Sequence, residues 1–152
     1  MDLELIKKAT IFSDLTDEEA EKVAEICQIQ KFKFGQHIFK EGDKGNRLYL
    51  ISEGEVRISR QMPGSGEEAL TVLKQGACFG EMAVFDRSER STDAIANIDT
   101  TLLTITRSDF EMLLDFDRDL AYKVLWSVTR LLSERLRVTN DNLKSFLAMS
   151  MF

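Results

Sequence analysis

The glycines in the middle of this chain set its fold class. They stand at 35, 42, 45, 54, 64, 66 and 76 and divide residues 29–106 into short runs. Those runs carry a strand period or are plainly apolar. Gln30-Lys31-Phe32-Lys33-Phe34 alternates, as does Glu55-Val56-Arg57-Ile58-Ser59-Arg60, and Thr71-Val72-Leu73 and Leu102-Leu103-Thr104-Ile105 are apolar-rich. Short strands with turn residues between them at near-regular spacing predict an antiparallel sandwich or barrel. Ser52-Glu53-Gly54-Glu55 reads as a hairpin corner and Pro63-Gly64-Ser65-Gly66 as an exposed hairpin tip.

The flanks have a helical period. In residues 1–28, Thr16-Asp17-Glu18-Glu19 is a capping box, and Ala20, Val23, Ala24 and Cys27 follow on one face. Leu3-Glu4-Leu5-Ile6 predicts a shorter helix before it. In residues 107–152, Ser108-Asp109-Phe110-Glu111 reads as a second capping box, with a break near Asp115-Phe116-Asp117. No glycine or proline follows Arg118, which predicts one helix of about thirty residues. Leu125, Leu132, Thr139 and Phe146 recur every seven, interleaved with Thr129, Leu136 and Leu143, as in a seam for a second helix. Val124, Leu131 and Val138 form another row, suited to packing on the strands. Two apolar faces on one helix predict a homodimer; one wide stripe buried within a monomer is the alternative. Tyr122 and Trp126 read as packing residues.

Composition narrows the chemistry. His37 is the sole histidine, so a His-based metal site, a Ser-His-Asp triad or a Cys-His pair would all have to use it, and no metal is expected. His37 itself reads as a half-exposed strand residue. The net charge of −6 argues against non-specific nucleic-acid binding. No apolar run approaches a membrane span, and Met1-Asp2-Leu3-Glu4 has no signal pattern. Two cysteines in apolar contexts, Cys27 and Cys78, fit a reduced, cytoplasmic setting without a structural disulfide. The whole chain, 1–152, is expected to form one domain.

Residues 76–92 carry the binding chemistry. A short helix opening at Gly80 presents free amides, and Arg90 returns with a planar phosphate donor beside the hydroxyls of Ser91 and Thr92. Glu81 repels phosphate and suits a sugar hydroxyl. Phosphate at one end and ribose at the other describe a nucleotide pocket; an Arg–Glu surface pair, Arg90 with Glu81 itself, is the alternative reading.

Phe79-Gly80-Glu81-Met82-Ala83 followed by Arg90-Ser91 resembles the phosphate-binding cassette of cyclic-nucleotide-binding domains. Glu41-Gly42-Asp43 with Leu48-Tyr49-Leu50-Ile51-Ser52-Glu53-Gly54-Glu55-Val56 is similar to that family's strand signature. Glu134-Arg135-Leu136-Arg137-Val138-Thr139-Asn140 resembles the long helix of its catabolite-activator subfamily, without that subfamily's DNA-binding domain. The resemblance implies a mainly β fold with flanking helices: a double-stranded β-helix, or jelly-roll barrel, with N-terminal helices and a long C-terminal one. It implies a non-catalytic regulatory module that binds a cyclic mononucleotide, cyclic AMP in preference to cyclic GMP. Arg90 and Ser91 then hold the phosphate, Gly80 the amide corner and Glu81 the ribose 2′-hydroxyl, with Met82 and Thr92 in the same cassette. Thr139 meets the adenine amino group, and Asn140, commonly serine in the subfamily, reaches the partner's pocket. Glu89, where many cassettes have proline, and Asp93 add negative charge near the phosphate. After Arg137 the only basic residue is Lys144, so no direct DNA binding is expected, and an unidentified protein receives the signal. A degenerate barrel serving as a dimeric scaffold is the other reading.

Overall fold

The computed structural model describes residues 2–151; Met1 and Phe152, at the two ends of the sequence reading, lie outside the described residues. Helix α1 (Leu3–Lys8), a 3-10 turn (Thr10–Phe12) and α2 (Asp17–Glu25) come first. The Thr16 hydroxyl accepts from the Glu19 amide at 3.2 Å and the Glu19 carboxylate accepts from the Thr16 amide at 2.9 Å, so the predicted capping box forms. Eight strands follow: β1 (Gln28–Phe32), β2 (His37–Phe39), β3 (Arg47–Glu53), β4 (Glu55–Met62), β5 (Gly66–Lys74), β6 (Cys78–Phe79), β7 (Asp93–Ala96) and β8 (Thr100–Thr106). Helix α3 (Glu81–Asp86) separates β6 from β7, and α4 (Arg107–Phe116) and α5 (Arg118–Ser150) end the chain.

The strands form two four-stranded antiparallel sheets, ordered β1-β8-β3-β6 and β2-β7-β4-β5. This is the expected jelly roll, although its two sheets are not closed into a continuous barrel. Alternation explains the run Leu48-Tyr49-Leu50-Ile51 in β3. Tyr49 and Ile51 pack into the core between the sheets with Val56, Phe79 and Leu102, whereas Leu48 and Leu50 pack with Phe12, Val23, Phe110 and Val124 of the helical layer. A sheet covered on both faces needs apolar residues at successive positions, not alternate ones. Gly54 closes the β3–β4 corner with φ 101°, and a Cβ there would lie 2.4 Å from the Thr100 hydroxyl, so only glycine fits.

Two helical details differ from the sequence reading. The cap of α4 is Thr106, whose hydroxyl accepts from the Asp109 amide at 3.1 Å, and Ser108 already lies within the helix. The long helix has the expected length, 33 residues, and Asp117 caps it by accepting from the Leu120 amide. Its packing row, however, ends at Leu131: Val124 is buried, but Val138 is 53% exposed. The first turns of α5 are clamped to the N-terminal segment by Lys22–Asp117, Lys123–Glu19 and Arg130–Asp14 at 2.7, 2.7 and 2.5 Å. From Leu132 to Met151 every residue is exposed, the predicted seam positions Leu132, Leu136, Leu143 and Phe146 among them.

Candidate functional site

A cavity of about 350 Å³ opens between the β4–β5 wall, the segment from β6 through α3 to β7, and the middle of α5. Gly80, Glu81, Met82, Arg90, Ser91 and Thr92 all line it, so the fold brings together the predicted cassette residues. Thr139 and Asn140 do not line it; they are exposed on α5, one turn beyond Arg135. His37 is exposed on β2 and lies outside the cavity.

Gly80 makes the corner. Its φ of 77° starts α3 from the left-handed region, and a Cβ there would lie 2.7 Å from Arg90 Nη1. No side chain caps α3, so its first amides are left without a side-chain partner beside the cavity.

Arg90 is 6% exposed. Its Nη1 donates to the Gly80 carbonyl at 2.8 Å and its Nη2 to the Arg47 carbonyl at 2.7 Å. The main chain is held as well: the Arg90 amide donates to the Asp43 carbonyl and the Gly42 amide to the Arg90 carbonyl. Among the described residues no carboxylate pairs with this guanidinium, and burial pulls its pKa below the ordinary arginine value. An arginine nonetheless keeps its proton. The site therefore holds a desolvated positive charge, still with unused N–H groups, on a cavity wall beside the hydroxyl-bearing Ser91 and Thr92. That arrangement suits a small anion.

Glu81, 5% exposed, does not pair with Arg90. It accepts from Arg135 Nη1 at 2.6 Å, so α5 reaches into the cavity through Arg135. The resemblance gives Arg135 no role; its place one turn before Thr139 is the sequence signal that puts it on the same side of α5. Asp93 is buried and its carboxylate accepts from the Glu41 amide at 2.8 Å, a structural bond away from the cavity lining. Glu89 is exposed and does line the cavity. Cys78 lines it too, and burial pushes its thiol pKa well up, as burial pushes that of Cys27 up to about 11; both thiols are free, and the shift disfavours their thiolate forms.

A family model for the cyclic nucleotide-binding domain matches residues 29–117. The cyclic AMP receptor protein of Thermus thermophilus is 37% identical over 87% of this chain and 59% of its own length. A CRP-like cAMP-activated global transcriptional regulator of Mycobacterium tuberculosis is 29% identical over 92% of this chain and 61% of its own. The chain thus spans about three-fifths of these relatives. Among solved structures, the N-terminal domain of a transcriptional regulator from Streptomyces coelicolor A3(2) superposes with a TM-score of 0.80 at 29% identity, covering 91% of this chain and 94% of that one. The open jelly roll, the glycine corner and the buried arginine coincide with a match over more than half the chain, and they establish it as a member of the cyclic nucleotide-binding domain family.

Proposed function

We propose that this chain is a non-catalytic, cytoplasmic regulatory module that binds a cyclic mononucleotide, cyclic AMP in preference to cyclic GMP, and signals occupancy through α5. The observation that carries the reading is Arg90, a buried guanidinium with neutral partners only, facing a cavity. A cyclic phosphodiester supplies the missing negative charge, and Ser91 and the amides after Gly80 supply further donors. Glu81 accepts from the ribose 2′-hydroxyl, with Met82 and Thr92 closing the sides. Thr139 reads the adenine amino group once α5 draws nearer, and Asn140 serves the pocket of a second copy across the seam. Occupancy then competes with Arg135 for Glu81 and so biases the position of α5. The receiver is a protein partner. Direct DNA contact is no part of this reading, since these residues carry a net charge of −6.

A second reading is favoured by one contact. The Arg135–Glu81 pair already satisfies the buried carboxylate, as it would in a degenerate scaffold that binds no nucleotide. Melting curves with cyclic AMP, cyclic GMP and cyclic dinucleotides separate the two. A ligand at 100-fold over its Kd adds about 2.7 kcal/mol. The binding reading expects a rise in Tm with cyclic AMP that is lost in Arg90→Ala and Glu81→Ala. A flat response to every ligand leaves the scaffold.

A further inference from the structure

Arg90 lies on an aromatic floor. Its Cζ stands 4.2 Å from the centroid of the Phe39 ring and 5.7 Å from that of Tyr49. Tyr49 stacks on Phe79 at 5.1 Å and 15°, and Phe39 touches both rings, at 5.9 and 6.1 Å. The β2–β7 ladder slips between His37 and Phe39. A bulge of this kind re-aims side chains. Phe39 turns into the core between the sheets while His37, two residues earlier, stays exposed.

A guanidinium buried without a carboxylate needs another source of negative potential, and the face of an aromatic ring is one. Asp43 and Glu81 carry the carboxylates whose fields reach the Arg90 guanidinium, yet neither carboxylate bonds to it: that of Asp43 accepts from the Lys40 amide and that of Glu81 from Arg135. Were Arg90 paired with either, an incoming phosphate would first have to displace a carboxylate. We propose that Phe39 is a positioning residue for anion binding: its ring face holds the Arg90 guanidinium buried and free of carboxylates, with its remaining N–H groups open to the cavity.

The nucleotide part of this inference rests on the function proposed above, but the placement of Arg90 does not, and the test separates them. In the ligand-free protein the Arg90 Nε–Hε NMR signal is expected upfield, from the Phe39 ring current, and slow to exchange with water. Phe39→Leu should remove both properties and weaken cyclic AMP binding, measured by calorimetry, about tenfold. Phe39→Tyr should keep both and bind within about twofold of the parent. Should Phe39→Leu not fold, 3,4,5-trifluorophenylalanine at position 39 keeps the shape but empties the ring face of negative potential, and it should give the same loss of exchange protection. An Arg90 signal unchanged by Phe39→Leu, or by the trifluorinated ring where Phe39→Leu does not fold, overturns the proposal, and so does a folded Phe39→Leu with parental affinity. A parent that binds no cyclic nucleotide but whose Arg90 signal follows position 39 as described upholds the positioning role and removes the nucleotide.

Discussion

Arg135 on α5 donates to Glu81 on α3 at 2.6 Å, across 54 positions of sequence. Among the described residues it is the side-chain bond that ties the otherwise exposed half of the long helix to α3. Removing Arg135 leaves a buried carboxylate without its partner. Arg135→Ala should lower stability by about 1–2 kcal/mol in denaturant titration, because half of the arginine is already in water and screens the pair. A double-mutant cycle with Glu81→Gln should return most of that loss as coupling. Additive single losses would mean that the two residues act independently.

Gly80 is sterically committed twice, by its φ of 77° and by Arg90 Nη1 at 2.7 Å from a built Cβ. Gly80→Ala should cost about 1–2 kcal/mol of stability from backbone conformation alone. It should also push Arg90 off the Gly80 carbonyl, so affinity for cyclic AMP should fall more than stability does. Calorimetry and melting curves on the same preparation give both numbers, and unchanged affinity would refute the steric argument.

Asp117 links acid sensitivity to α5. The bond from Lys22, followed by the Leu120 amide, holds its pKa below the usual carboxylate value. The folded state therefore gives up this proton at a lower pH than the unfolded chain does, whose aspartates titrate near ~3.9. The contribution is complete above that value and is lost as pH falls through the lower, folded one. Asp117→Ala, which also removes the helix cap, should cost about 1 kcal/mol at neutral pH and flatten the loss of stability below about pH 4. An acid limb identical to the parent's would count against this assignment.

The two candidate caps of α4 can be told apart directly. Thr106→Ala should destabilise by about 1 kcal/mol, because the Asp109 amide loses its acceptor. Ser108→Ala, inside the helix and exposed, should be neutral or slightly stabilising. The reverse order in thermal denaturation would restore Ser108 as the cap.

The exposed seam of α5 predicts its own partner. Leu136 is 61% exposed in the single chain. If a second α5 covers it, Leu136→Asp should convert a concentration-dependent dimer into a monomer in sedimentation, with the Tm of the strand region little altered. A parent already monomeric at all concentrations would remove the seam.

Element types and the cassette were legible because both are local properties. Periods of two and of 3.6, the Thr16–Glu19 box and the glycine-free run after Arg118 act within a turn or two of chain, and each formed where expected. Gly80, Glu81 and Arg90 fall within eleven residues, so their spacing carried a meaning before any fold was known. Three things lay beyond local pattern. Ser108 and Thr106 satisfy similar cap rules, and only the ladder that carries β8 through Thr106 decides where the helix begins. Val138 keeps the seven-residue spacing of Val124 and Leu131, but from Leu132 onward every described residue of the helix is exposed and the row has nothing left to pack on. Phe39 lies 51 positions before Arg90, and Arg135 lies 54 after Glu81. Contacts over such distances depend on how one sheet packs on the other and on the line along which α5 leaves the core, neither of which any short stretch of chain encodes.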